Sequence, residues 1–187
     1  MEYFETIKCF DNEIFNLQYH NKRVANTIGL NLNLQEYIYP PSEKLYRCKL
    51  IYNEYEVLDV QYFEYKKREI KSFKLIFDDN IEYSKKYLNR EDIDKAFGKK
   101  QNADEIIIVK NGLLTDTSIA NIAIYDGTNW LTPTIPLLFG TTRERFIEEK
   151  KMIEKPITVQ MLKSAKKIAL LNAMIDFDIL DEYTIEV

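Results

Sequence analysis

The sequence predicts an α+β chain in two parts, a small strand-rich first part and a larger second part. Three observations lead there. Alternating apolar runs recur from end to end. Two of them turn back through Asn-Gly and Asp-Gly pairs, the strongest short-range hairpin signals. Only residues 17–30, 89–101 and 140–153 carry helical spacing or a helix-start signal. A chain of 187 residues can bury a hydrophobic core as one large domain or two small ones.

The elements follow in order. "EYFETIKC", residues 2–9, alternates as a strand; "DN" makes a turn, and "EIFNL" is the returning strand. "LQYHNKRVANTIGL" sets Leu17, Val24, Ile28 and Leu30 near helical spacing, with Asn16 as its cap. "YPPSE" ends what precedes it. "KLYRCKLIYN" and "YEVLDVQYFEY" are strands rich in Tyr, Val and Ile. A charged linker at 67–72 then separates a first domain, 1–66, from a second, 73–187; a solvated strand end explains the same charges nearly as well.

In the second domain "SFKLIFDD" is a strand and "NREDIDKAFGKKQ" a helix capped by Asn89. "DEIIIVKNGLLT" and "NIAIYDGTNWLTP" are hairpins, and "GTTRERFIEEKKMI" is a helix opening directly after Gly140. "KKIALLNAMI" and "TIEV" are late strands.

Composition closes several function classes. A net charge of -4, with no dominating basic patch, makes nucleic acid a poor partner. Cys9 and Cys48 stand far apart and form no metal-ligand spacing, and His20 is the single histidine, so no metal site is expected. The N-terminus carries acids and lacks an apolar core, and no apolar run approaches membrane-spanning length. A cytoplasmic protein is expected.

Four features can carry chemistry. Gly140 followed by Thr141 and Thr142 at a helix start is an anion site in waiting, because the first helical amides lack internal partners; taken alone, plain N-capping by threonine is the better account of it. Asp116 alone reads as a solvated or capping acid, Lys86 as one lysine among many, and Arg23, beside His20, as a surface residue. Together, a lysine, an acid, an arginine and a hydroxylated helix start are what pyridoxal phosphate requires. The lysine joins its aldehyde, the carboxylate keeps its ring nitrogen protonated, and arginine with helix amides holds its phosphate. Composition alone does not single out this set.

The order of these residues does. "FETIKCFDNEIFNLQYHNKR", "KYLNR", "NADEIIIVKNGLLTDTSIANIAIYDG", "WLTP", "FGTTR" and "ALLNAMIDFDIL" follow one another with family-like gaps. The chain thereby resembles the fold-type IV pyridoxal-phosphate enzymes, the class IV aminotransferases, and among them the aminodeoxychorismate lyases. The resemblance implies a small two-layer N-terminal domain, a larger C-terminal domain and a cofactor cleft between them. It makes Lys86 the Schiff-base lysine and proton carrier, and Arg23, Thr141 and Thr142 the phosphate ligands. It puts Asp116 on the ring nitrogen, where the family usually has glutamate, with Ser118 and Asn121 near the cofactor. Asn172 and Ala173 match a turn that meets a substrate carboxylate.

It also implies a homodimer acting on a small amino compound. The implied reaction converts 4-amino-4-deoxychorismate to 4-aminobenzoate and pyruvate, for folate synthesis. The alternatives are a class IV aminotransferase for D- or branched-chain amino acids, or a non-catalytic relative. The chain is shorter than the family pattern at both ends, which implies a more open pocket or a surface that a partner covers. Asp116 for glutamate shortens the reach to the ring by one methylene.

Overall fold

The computed structural model describes residues 1–186. The chain divides into two compact units. The first comprises Met1–Lys67 with Lys85–Asn89, and the second Arg68–Ser84 with the chain from Arg90 onward. Sequence order alone puts Lys85–Asn89 in the second unit. They join the first because Phe4 N–H donates to the Lys86 carbonyl at 3.0 Å, Leu88 N–H donates to Glu2, and Tyr3 bridges to Tyr87.

The first unit is an antiparallel sheet in the order β2-β1-β3-β4. Its strands are β1 (Tyr3–Phe10), β2 (Glu13–Ile14), β3 (Tyr46–Tyr52) and β4 (Val57–Glu64). Asp11 and Asn12 both adopt positive φ, which lets β1 turn back within two residues. Strand alternation sends Tyr3, Glu5, Ile7 and Cys9 inward, with Cys48, Leu50 and Tyr52 of β3 beside them. Helix α1 (Leu17–Ile28) covers this face with His20, Val24 and Thr27, and Leu34 of a short 3-10 turn seals it. The expected strand "EIFNL" shrinks to Glu13–Ile14, because Leu17 already opens α1. Asn16 stands at the N-cap in a left-handed conformation, and its side chain caps nothing.

The second unit is built on the strand order β10-β9-β8-β7-β6-β5-β13, with β11 paired to both β8 and β12. These are β5 (Ser72–Phe77), β6 (Glu105–Lys110), β7 (Leu113–Thr117), β8 (Asn121–Tyr125), β9 (Trp130–Pro133), β10 (Ile153–Lys155), β11 (Lys167–Asn172), β12 (Asp176–Leu180) and β13 (Thr184–Glu186). Val187, the last residue of the expected strand "TIEV", lies outside the described residues. Helices α2 (Glu91–Gly98), α3 (Thr141–Glu148) and α4 (Val159–Ser164) complete it. Phe73, Leu75, Ile107, Leu114, Ile122, Ile157 and Leu170 form its main core.

Both expected hairpins form, with Asn111, Gly112 and Gly127 at positive φ. Three expectations change. Helix α2 is preceded by Arg90 at its N-cap, not Asn89. The helix expected to reach residue 153 ends at Glu148; Lys150 turns left-handed there, and the chain leaves to lay β10 beside β9. The strand "KKIALLNAMI" stops at Asn172, where a tight turn starts β12. No helix among the described residues is long and apolar enough to cross a membrane.

Phe73 is fully buried, so Phe73→Ala lowers stability by about 3–5 kcal/mol. A Cβ at Gly112 meets nothing within 4 Å, so Gly112→Ala costs only the left-handed backbone strain, about 1–2 kcal/mol. Urea unfolding followed by far-UV circular dichroism checks that order.

Candidate functional site

In the first unit the expected residues gather around a carboxylate with no exposure. Glu5, inward-facing on β1, accepts from Arg23 Nε at 2.9 Å and Nη2 at 2.5 Å, and lies 2.6 Å from His20 Nδ1. His20 and Arg23 are three residues apart, so one face of α1 presents both. Burial alone pushes a carboxyl upward; Arg23 and the His20 hydrogen bond overcome it and hold Glu5 at about 2. Burial pulls His20 below its ordinary value, against its bond to Glu5, with the charges of Arg23 and Lys86 adding to the pull. The ring is therefore neutral, Nδ1–H donates to Glu5, and Nε2 is left buried with no hydrogen-bond partner among the described residues. Lys86 Nζ stands 4.5 Å from the centre of the Phe4 ring.

In the second unit Asp116 is the centre. It closes β7, and the register sets it opposite Asn121 at the start of β8. Its carboxylate accepts from Asn121 Nδ2 at 2.6 Å and from the Leu138 N–H at 2.8 Å. Asn121 Nδ2 donates a second bond to the Leu138 carbonyl at 2.8 Å, so the loop before α3 is clamped from both sides. A Cβ on Gly140 would stand 1.9 Å from Asn121 Oδ1, so glycine alone lets α3 begin here. Desolvation dominates at Asp116 and raises it to about 6, against its two hydrogen bonds and the charge of Arg143.

Thr141 and Thr142 are the first residues of α3, both buried, and the first helical bond is donated by Glu144 to Gly140. The amides ahead of Glu144 thus have no partner inside the helix. Arg143 is committed elsewhere, to the Pro133 carbonyl and to Glu154 at 2.5 Å. Ser118 sits in the β7–β8 turn, its N–H donating to Glu105 and its carbonyl accepting from Arg90. Asn172 spends its side chain on its own turn: Oδ1 accepts from the Met174 and Ile175 amides and Nδ2 donates to the Ile119 carbonyl. Ala173 follows in that turn, half-buried.

The fold thus joins Asp116, Asn121 and Leu138 in one hydrogen-bonded group ahead of α3, and ties the Asn172 side chain to Ile119, next to Ser118 in the β7–β8 turn. In the first unit it brings Arg23 and Lys86 within electrostatic reach of His20. Sequence reasoning missed Glu5, Glu105, Arg90 and Leu138. The signal available for Glu5 and Glu105 was an acid at an inward position of an otherwise apolar strand.

A protein-family model, Amino-transferase class IV, matches residues 82–177. An uncharacterised protein of Haemophilus influenzae is 35% identical over 182 residues, which cover 91% of this chain and 96% of that protein. A solved structure from Haemophilus somnus, a proposed 4-amino-4-deoxychorismate lyase, is similar with 31% identity, 92% of this chain and 96% of that one covered, and a TM-score of 0.80. A hypothetical aminotransferase of Mycobacterium tuberculosis, solved with α-ketoglutarate and PMP, superposes with a TM-score of 0.81 at 17% identity, covering 99% of this chain and 81% of that one. At that identity the likeness shows the fold alone.

Asp116 titrates at about 6 in the folded chain and near 3.8 when unfolded, so the folded state takes up its proton first. Stability from this group is complete below the unfolded value and is lost as pH rises through about 6. The stability of the chain relative to Asp116→Asn therefore falls by about 2 kcal/mol between roughly pH 4 and pH 7. Urea unfolding without added ligand at both pH values measures this; a difference independent of pH contradicts it.

Proposed function

Because the chain belongs to the amino-transferase class IV family, we propose that it is a pyridoxal-phosphate-dependent enzyme transferring the amino group of a small amino acid. One observation carries the reading: the family match over 82–177 contains Lys86, Asp116, Ser118, Asn121, Thr141, Thr142, Asn172 and Ala173.

The residues present fit the cofactor. Asp116 is a carboxylate whose burial its neighbours do not fully offset, and it keeps lone pairs beyond those taken by Asn121 and Leu138. A protonated ring nitrogen is the donor and charge that such a group lacks. The free amides and hydroxyls of Thr141 and Thr142 suit a phosphate at a helix start. When bound, pyridoxal phosphate supplies an electron sink for the bond broken at the substrate's α carbon.

The protein's own groups do the rest. Lys86 would hold the cofactor covalently, and its amine would carry the proton at the substrate's α carbon. Arg23, aimed by Glu5, contributes positive charge for the phosphate. Asn121 and Leu138 hold Asp116 in place, and Glu105 with Arg90 sets the peptide of Ser118. The Asn172 turn offers backbone at Ala173 for a substrate carboxylate.

A second reading, a lyase releasing pyruvate from 4-amino-4-deoxychorismate, is favoured by the Haemophilus somnus relative, which is alike over nearly its whole length.

The purified chain with pyridoxal phosphate is expected to show a visible absorption band. Borohydride removes that band and leaves the cofactor attached at Lys86, read by peptide mass spectrometry. No band, or the same band in Lys86→Ala, overturns the reading. Pyruvate released from 4-amino-4-deoxychorismate without any oxo acid selects the lyase; amino exchange requiring an oxo acid selects the transferase.

A further inference from the structure

Two segments far apart in sequence carry Arg23 and Lys86, and one strand grips both. Glu5 on β1 accepts from Arg23, and the neighbouring Phe4 N–H donates to the Lys86 carbonyl at 3.0 Å. Those two grips tie each segment to β1 but not to each other, as two sides of an open triangle. Lys85 closes it. Its ammonium donates to the Thr27 carbonyl at 2.7 Å, across 58 residues of sequence. Thr27 lies one helical turn after Arg23, and its hydroxyl donates to the Arg23 carbonyl at 2.8 Å. All of these contacts lie within the first unit.

The contact is one that α1 calls for. The last carbonyls of a helix lack internal partners and favour a cation. The last turn of α1 contains no basic residue, so Lys85 supplies that charge from outside the helix. Lys85 is half-buried, which shields the contact from water in part. Its Nζ stands 5.7 Å from the centre of the Tyr3 ring, while Lys86 Nζ stands 4.5 Å from that of Phe4. Consecutive residues of a strand face opposite ways, so these two rings hold the two adjacent ammoniums apart. Lys85 is thereby turned toward α1.

We propose that Lys85 is a positioning residue for the cofactor: docked on Thr27, its ammonium fixes the spacing of Arg23 and Lys86, so that both reach one molecule of pyridoxal phosphate at once. The proposal deepens the reading of Lys86 as the cofactor lysine and rests on it. A ligand held at two ends gains from the second contact only when the two anchors already stand at the ligand's own span. With the triangle open, each anchor keeps its own chemistry, and the gain from joining them is lost. The phosphate end and the aldehyde end are then bound nearly independently.

Absorbance titration of the purified chain with pyridoxal phosphate and with pyridoxal, which lacks the phosphate, tests this. The ratio of the two affinities reads the joint action of Arg23 and Lys86. Pyridoxal's internal hemiacetal weakens it equally in every variant, so only the change in that ratio is read. Lys85→Met keeps the apolar stem and removes the donor. It is expected to shrink the ratio about tenfold, through weaker binding of pyridoxal phosphate. Lys85→Arg keeps a charged donor and is expected to restore most of the ratio. A lysine serving stability alone would weaken both ligands by the same factor. An unchanged ratio in Lys85→Met, or no recovery in Lys85→Arg, overturns the proposal. Should Lys85→Met fail to fold, judged by far-UV circular dichroism, Lys85→Gln is titrated in its place under the same criteria. Borohydride labelling of the unaltered chain is read separately by peptide mass spectrometry. No label, or a label at Lys85, counts against the cofactor reading and the proposal together. A label at Lys86 with the ratio unmoved in Lys85→Met counts against the positioning role alone.

Discussion

A carboxylate removed from water must be held by donors or give up its charge, and this constraint organises both units. Glu5 takes the first course. It has no exposure, and Arg23 and His20 together hold it ionised at about 2. The bond to Glu5 also fixes which His20 nitrogen carries the proton and which way the Arg23 guanidinium points. Asp116 sits nearer the second course, with two hydrogen bonds and a value raised to about 6. Replacing either acid by an apolar residue would take an acceptor from buried donors, His20 and Arg23 in one unit and the Leu138 amide in the other.

Around Asp116 the constraint extends into the backbone. Asn121 binds both the carboxylate and the Leu138 carbonyl, and its Oδ1 fills the space where Gly140 would otherwise carry a Cβ. The start of α3 is therefore placed by a side-chain amide rather than by an N-cap side chain, of which α3 has none. Its leading amides have no acceptor inside the helix, and its first two threonines are buried. The same economy appears at Ser118, whose peptide is gripped at one end by Glu105 and at the other by Arg90.

Much of the fold was legible in the sequence because hairpin turns and strand alternation are local signals. Asn111-Gly112 and Asp126-Gly127 turn where the pattern demands, and the inward face of β1 reads directly from its alternation. What escaped is non-local. Glu5 looks like any strand acid until α1 brings Arg23 and His20 over it. Lys85 looks like one lysine among many, and only the fold sets its ammonium on the Thr27 carbonyl. The end of α3 at Lys150 carries neither glycine nor asparagine, so no local signal marks it. The group around Asp116 was legible through the ordered motif, while its tie to Leu138 required the loop to be folded.

The central claim is that the Asp116 carboxylate, short by one methylene and held by Asn121 and Leu138, engages a cationic cofactor ring. Nitrogen-15 NMR of the protein loaded with ring-labelled pyridoxal phosphate measures this most directly. The account predicts the chemical shift of a protonated ring nitrogen in the unaltered chain and of an unprotonated one in Asp116→Asn. An unprotonated nitrogen in the unaltered chain, or a protonated one in both, would contradict it.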